Sequence, residues 1–532
     1  MSGDVLVYDT TLRDGAQQEG MNLSVADKLT LLPMLEAYGA DIIEGGWPGA
    51  IPRDTEFFRE IAATQPLTRA RLAAFGATRK AGVDVEDDQQ VAALLASEAP
   101  IITLVAKSDA RHVAKALRTT EEENLRMVRD TVAYLVEQGR EVMVDLEHFF
   151  DGADYDRDYT FAVAVEAVRA GASTVIACDT NGGALPDGIL ARVGELSALL
   201  DEEGLTATIG IHAHNDGEMA VANTLAAVTA GAAHIQGTVN GYGERTGNAN
   251  ILTAIANLHL KMGRKVVTDD QLADLSRVSH AVAEIVNIAP YRRQPYTGVS
   301  AFAHKAGLHA SAIRVDADLY QHIDPARVGN DMRMIVSDMA GRASIELKAR
   351  ELGLDLSDRP DVLSEVTRRI KEAEALGYTY DATDASVELL IREVAFGERL
   401  SYFDIESWTT HLSGSSEGSH GAEAVVKLST GAGRSVTVGE GVGPVDALDQ
   451  ALRGGLCSVY PELEDCELID FKVRILDPSA ATRATTRVII SMSSPAGIWA
   501  TVGLGRDIIE ASWEALTDGY IYGLFKAGVP VR

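Results

Sequence analysis

Short apolar or β-branched runs recur along the first half of the chain, separated by segments long enough for a helix. They are VLVYDTT (5–11), ADIIEGG (40–46), RLAAFGAT (71–78), IITLVAKS (101–108) and EVMVDLEHF (141–149), then TVIACDT, TIGIHAHN and HIQGTVNG. The stretch after the first, SVADKLTLLPMLEAYG, is typical of the connections: its apolar positions repeat at helical rather than strand spacing. Eight such strand–helix units predict an α/β fold, a (β/α)8 TIM barrel over residues 1–267. An open doubly wound sheet is the alternative. The barrel is preferred because polar and charged residues gather at the carboxyl ends of most strands, where a barrel keeps its site. On that reading Arg13, Asp14, Glu44, Ser108, Glu147, Thr180, His212, His214 and the loop Asn240–Asn250 line the mouth.

From residue 268 to 412 the alternation gives way to helical segments such as QLADLSRVSHAVAEIV and DVLSEVTRRIKEAEALG, joined through the polar connector TGVSAFAHKAGLHAS. This predicts helical linker subdomains. At 413 the string SGSSEGSHG reads as a flexible joint, opening a C-terminal domain over 413–532. That domain repeats itself: TVGEGVGPVDALDQAL (437–452) and TVGLGRDIIEASWEAL (501–516) align at an offset of 64 with seven of sixteen positions identical. Strand-like runs, AVVKLS and RVIISM, precede each copy, so a pseudo-symmetric α+β pair of ββα units is predicted.

Composition narrows the function classes. A chain of 532 residues, 46% hydrophobic, fits several domains better than one core. A net charge of −30 repels phosphate backbones and anionic headgroups, which argues against a nucleic-acid or membrane partner. Cys178, Cys457 and Cys466 are too few for a disulfide framework and lack C-x-x-C spacing; they read as buried thiols in a reducing compartment. Without a leader-like start or a long apolar run, a cytoplasmic location is expected.

The candidate chemistry centres on IGIHAHND (209–216). His212 and His214, two apart on an extended run, point the same way and can share one metal ion. DTTLRDG (9–15) offers Asp14 as a carboxylate ligand after the first strand, and NGYGERTGN offers Asn248 or Glu244 as a fourth. Two imidazoles and a carboxylate with open positions suit Zn, Mn, Fe or Mg acting as a Lewis acid.

DTTLRDG, HAHND and GYGERTGN, in this order, resemble the α-isopropylmalate, citramalate and homocitrate synthase family over essentially the whole chain. FGATRKAG, DLEHFFDG with CDTNGG, and HIDPARVGN are most similar to its citramalate branch; homocitrate synthases usually carry Glu where this chain has Asp14. The resemblance implies an acyltransferase that condenses acetyl-CoA, its co-substrate, with a 2-oxo acid and hydrolyses the thioester. It implies an ion (Mn, Mg or Zn) on Asp14, His212, His214 and Asn248, Arg13 at the developing alkoxide, and Thr180 at the substrate carboxylate. Glu147 is then a candidate base or water-activating group, and His309 and Tyr320 serve thioester activation in a neighbouring subunit, hence a homodimer. The repeat domain becomes a regulatory and dimerisation module whose implied effector is isoleucine.

Other classes fit less well. Amidohydrolases carry their HxH pair on the first strand, whereas here it lies on the seventh. Lyases of the hydroxymethylglutaryl-CoA type resemble a pattern with cysteine in the glycine-rich loop, which GYGERTGN lacks. An amino-acid-sensing protein would not need the metal residues. In PIITLVAKS, Ile102 is expected to put an apolar wall beside a small substrate methyl, favouring pyruvate over the bulkier 2-oxoisovalerate of an isopropylmalate synthase.

Overall fold

A computed structural model describes residues 5–64, 67–414, 420–477 and 484–531. The chain divides into two compact units, Met1–Phe302 with Asp324–Asp331, and Ala303–Ile323 with Met332–Arg532. Among the described residues, no helix is long and apolar enough to cross a membrane.

The first unit is the predicted barrel. Its strands are β1 (Leu6–Asp9), β2 (Ile42–Gly46), β3 (Arg71–Ala77), β4 (Ile101–Lys107), β5 (Glu141–Glu147), β6 (Thr174–Asp179), β7 (Thr208–Ala213) and β8 (His234–Gly237). They pair in parallel in sequence order, and β8 closes on β1 through Leu6–His234 to Asp9–Gly237. Strand alternation divides each run into an inward and an outward face. Inward residues Tyr8, Ile42, Ala73, Ile101, Met143, Ile176 and Cys178 fill the lower barrel with one apolar cluster. Two residues further on, the same faces turn polar: Glu44, Thr103, Asp145, His212 and Gln236, all buried. The site therefore grows directly out of the core.

The loops show why DTTLRDG has its composition. The buried Asp9 carboxylate accepts from Thr11 N (2.8 Å), Thr11 Oγ1 (3.0 Å) and Tyr38 Oη (2.6 Å). Thr10 O collects the amides of Arg13, Asp14 and Gly15 at 2.9–3.2 Å. This knot fixes the directions of Arg13 and Asp14. In the loop after β8, a Cβ on Gly247 would collide with Gly241 O, and one on Gly243 with Asn248 Nδ2; both glycines also have positive φ (90° and 153°).

The predicted linker divides rather than forming a module of its own. The helix Leu275–Ile285 packs on Val25–Ala37 of the barrel and belongs to the first unit, as does the chain to Phe302, so the boundary expected at 268 falls inside a compact body. Its amphipathic face is buried there by Leu275, Val278 and Val282. The second unit opens with a bridge between β9 (Ala303–His304) and β10 (Arg333–Met334), followed by helices Arg342–Glu351, Pro360–Leu376 and Asp384–Phe396.

Six strands complete the chain: β11 (Asp404–Gly414), β12 (His420–Thr430), β13 (Gly433–Gly441), β14 (Glu467–Ile475), β15 (Thr486–Ser494) and β16 (Gly497–Gly505). They form two antiparallel sheets in the orders β11-β12-β13 and β14-β15-β16. Each half is the expected ββα unit with a third strand ahead of it, closed by the helices Pro444–Leu456 and Ile508–Lys526. The joint expected at 413 is part of a hairpin: Ser413 and Gly414 pair with Gly421 and His420, while 415–419 lie outside the described residues. The sheet starts at Asp404, ahead of the boundary read from composition. Cys178 and Cys466 are buried as expected, but Cys457, just past a helix end, is half-buried.

The internal repeat has a physical basis. Thr437 Oγ1 donates to Ala451 O (2.7 Å), and Thr501 Oγ1 to Ala515 O (2.6 Å). Gly439 and Gly503 let the helix backbone approach where a Cβ would strike Ala447 O or Ala511 O. Asp446 accepts from Val442 N (2.9 Å), as Glu510 does from Arg506 N (2.7 Å). Each pair is related by the offset of 64.

One buried ion pair joins the second strand to its helices. Lys28 Nζ donates to Asp54 Oδ1 (2.6 Å) and Gly45 O (2.9 Å), and Asp54 Oδ2 accepts from Trp47 N (2.8 Å). Lys28→Met should destabilise the barrel by about 3–5 kcal/mol, because it strands a buried carboxylate. Lys28→Met with Asp54→Leu should recover much of that loss in denaturant unfolding; a single variant as stable as the parent would contradict the assignment.

Candidate active site

At the carboxyl ends of β1 and β7, three ligand atoms of Asp14, His212 and His214 lie within 4.8 Å of one another, and all three residues are buried. His212 Nε2 is 3.1 Å from Asp14 Oδ2 and 3.3 Å from His214 Nε2. On its other side, His212 Nδ1 bonds Gln236 Oε1 at 2.7 Å, and Gln236 Nε2 donates to Asp145 Oδ1 at 3.0 Å. A proton on Nδ1 leaves the Nε2 lone pair facing the cluster. His214 follows β7 and bridges Asn248, so the glycine-rich loop is stitched beside the histidines. Asn248 Nδ2 donates to Tyr242 O (3.1 Å), while its buried Oδ1 has no protein partner. Glu244, the other candidate, is 63% exposed in its side chain and pairs with Arg245. Burial therefore favours Asn248.

This donor set fits a divalent cation. Two ring nitrogens and a carboxylate oxygen lie together in a buried space where one positive centre would satisfy all three, and Asn248, whose amide oxygen is buried without a partner, bridges His214 through its backbone. Electrostatics agree. Burial works against the Asp14 charge, but Arg13 and the two histidines outweigh it and hold the carboxyl far below its usual range. Burial and the neighbouring His212 push His214 down to about 4, leaving it neutral and able to donate a lone pair. Burial also lowers His212, yet the hydrogen bond and charge of Asp14 carry it above the ordinary value.

Arg13 lies beside the cluster. Its Nε donates to Glu44 Oε1 (2.5 Å), its Nη1 is 3.6 Å from Asp14 Oδ2, and its guanidinium carbon sits 3.8 Å over the Phe75 ring. Glu44 also accepts from Tyr8 Oη (2.7 Å), which is bonded to Thr103 Oγ1 (2.7 Å). The fork is thus held between Glu44, Asp14 and the Phe75 ring. Burial lifts the Asp145 carboxyl to about 7, and the nearby Glu44 adds to this against the pull of His212.

Glu147 ends β5 and forms an ion pair with Lys107, its register partner on β4. Thr180 follows β6; its Oγ1 accepts from His148 N (2.8 Å), which leaves its own hydrogen free to donate. Ser108 supports this rim by donating to Glu147 O (2.7 Å). His309 and Tyr320 belong to the second unit, where their rings stack at 4.1 Å. Ile102 does not line the mouth. It is the second residue of β4, and the register that turns Thr103 inward turns it outward, near the barrel's lower end. Val105 and Lys107 occupy the inward face above Thr103.

Sequence reading missed Lys107, Gln236 and Asp145. The same period of two that places Glu147 and His212 would have placed all three on inward faces, but none carries a motif.

Residues 4–282 match the HMGL-like family, 296–377 the homocitrate synthase post-HMGL domain-like family, and 381–524 the LeuA allosteric (dimerisation) domain. The (R)-citramalate synthase of Streptomyces coelicolor is 56% identical over 523 residues, covering 98% of this chain and 97% of its own length. That of Aquifex aeolicus is 44% identical over 527 residues, covering 99% of both. The 2-isopropylmalate synthase of Cronobacter sakazakii covers 99% of this chain and 96% of its own length at 29% identity. With coverage equal and identity markedly higher on one side, this chain belongs to the HMGL-like family, in the group of the (R)-citramalate synthases.

Proposed function

We propose that this chain is an (R)-citramalate synthase, an acyltransferase that joins the methyl carbon of acetyl-CoA to the keto carbon of pyruvate and releases CoA by hydrolysis. The observation that carries the reading is 56% identity along nearly the full length of a protein so named. The buried cluster of Asp14, His212 and His214 supports it.

We assign Asp14, His212, His214 and Asn248 to hold a divalent ion, which when bound supplies Lewis-acid polarisation of the oxo acid's carbonyl. Arg13, pinned by Glu44, directs its free N–H groups to the oxygen that gains charge as the carbon–carbon bond forms. Thr180, whose oxygen already accepts the His148 amide, donates its hydrogen to the substrate carboxylate. Glu147 takes the methyl proton of the thioester or activates the water that cleaves it, and Lys107, its ion-pair partner, holds it in place. His309 and Tyr320 are assigned, on family resemblance, to thioester activation from a neighbouring subunit of a homodimer. Val105 takes over the apolar role expected of Ile102, next to the substrate methyl.

Free CoA release from acetyl-CoA should be fastest with pyruvate among pyruvate, 2-oxobutyrate, 2-oxoisovalerate and 2-oxoglutarate. A preference for 2-oxoisovalerate would replace this reading with isopropylmalate synthesis.

We also propose that the enzyme opens a pyruvate route to isoleucine in the cytoplasm, with isoleucine as effector at the repeat domain. A coupling of about 1–3 kcal/mol between effector and substrate sites is expected. Isoleucine should inhibit at lower concentration than leucine or valine and slow hydrogen exchange within 404–526. Protection confined to the barrel strands would contradict this.

A further inference from the structure

The two limbs of the loop after β8 are held by main-chain bonds to each other and to the segment that carries the histidines. Thr238 N donates to Ala249 O (3.1 Å), Ala249 N to Ala213 O (2.9 Å) and Asn215 N to Gly247 O (2.9 Å). The crest between the limbs bonds within itself, Gly241 N to Thr238 O (3.2 Å), Gly247 N to Glu244 O (3.0 Å) and Asn248 N to Gly241 O (3.1 Å). On the side of the helix Leu275–Ile285 the crest borders a cavity of about 250 Å³, lined in part by Tyr242, Thr246, Ser279 and His280. Close packing therefore does not fill that side, and the crest needs another anchor there.

Asn240 supplies it. Its Nδ2 donates to Ser279 O (2.9 Å) and Tyr242 Oη (3.1 Å), and its Oδ1 accepts from Ser279 Oγ (2.6 Å). Ser279 belongs to the helix and is buried, so donor and acceptor of one amide are both spent on a bridge from loop to helix. For this the Asn240 backbone adopts φ 60° and ψ 6°, a left-handed conformation that costs energy in a residue with a Cβ and persists only where surrounding bonds over-determine it. Opposite, Arg245 ties the crest to Asp216 (2.8 and 2.9 Å) and Thr180 O (2.8 Å), but that ion pair is partly exposed and screened.

The bridge leads to Asn248 by two short routes. Gly241, the residue that the Asn240 turn presents, accepts the Asn248 amide through its carbonyl. Tyr242, held by Asn240 at its hydroxyl, accepts Asn248 Nδ2 through its own carbonyl (3.1 Å). Both donors of Asn248 named here thus end on residues that Asn240 orients, and the buried Oδ1 is the end of its amide left without a protein partner.

We propose that Asn240 is a positioning residue, latching the crest to the helix Leu275–Ile285 and so setting the Asn248 side chain for the divalent ion. The proposal rests on the assignment of Asn248 to the ion above.

Asn240→Gly removes the bridge and also relaxes the backbone at the left-handed position, which keeps the fold. In metal-free full-length protein the Gly241 and Asn248 amides should then exchange hydrogen about tenfold faster or more, while those of Ile211 and Ile235 in the barrel strands stay as in the parent. Asn240→Asp, of nearly the same shape, should speed the same two amides, because a carboxylate cannot donate to Ser279 O or Tyr242 Oη. Parent-like protection at Gly241 and Asn248 in both variants, or faster exchange spread over the strands, would overturn the latch. Mn(II) titration then reads the route. Asn240→Gly should weaken binding by about tenfold in the parent and by less than about twofold when Asn248→Ala is already present. Equal weakening in both backgrounds would overturn action through Asn248. An Asn248→Ala variant that binds Mn(II) like the parent removes the ion assignment and this route with it, and the exchange rates still decide the latch.

Discussion

A carboxylate kept charged inside a protein needs partners on every side, and Asp14 has them. Arg13 neutralises it, His212 bonds it, and the Asp9 knot fixes the loop that presents it. Much of the first unit can be read as support for this one group. Gln236 turns His212 so that the correct nitrogen faces Asp14, Glu44 pins Arg13, and the tight glycines after β8 bring Asn248 beside His214. Removing any supporter leaves a buried charge or an orphaned polar atom, which is costly in low dielectric. The barrel supplies the necessary rigidity because the polar faces are continuations of apolar ones packed just below.

The second unit follows a different logic. Its two sheets bury Ala424, Val426 and Leu428 on one side and Val488, Ile490 and Met492 on the other within a single core, closed by the two helices. The repeat persists in the sequence where it must, at the threonines that tie each helix to its strand and at the glycines that let the helix come close. Elsewhere the halves differ even inside the core, as at Leu448 and its counterpart Ser512, both buried.

All eight barrel strands were legible because short β-branched runs and helical spacing alternate cleanly there, and the ligand cluster was legible because HxH and DTTLRDG are compact motifs. Asp14, His212 and His214 lie within reach of one another, Arg13 sits beside Asp14, and Asn248 bridges His214. Register was harder. Ile102, expected to wall the mouth, faces away from it because Thr103, one residue on, holds the inward face; without a pairing partner, parity along β4 is ambiguous. Lys107 and Gln236 escaped for the opposite reason, since single polar residues on strands look like surface until closure turns them inward. The hairpin at 413 escaped because Gly and Ser serve linkers and turns alike, and β11 is too polar to announce a strand.

The central claim is that four side chains converge on one divalent ion. Titration of Mn(II) into chelator-treated full-length protein measures this directly. The account predicts one ion per chain, an affinity at least about tenfold weaker in Asn248→Ala, and no change in Glu244→Ala. Binding of no ion by the parent, or equal affinity in Asn248→Ala and the parent, would contradict it.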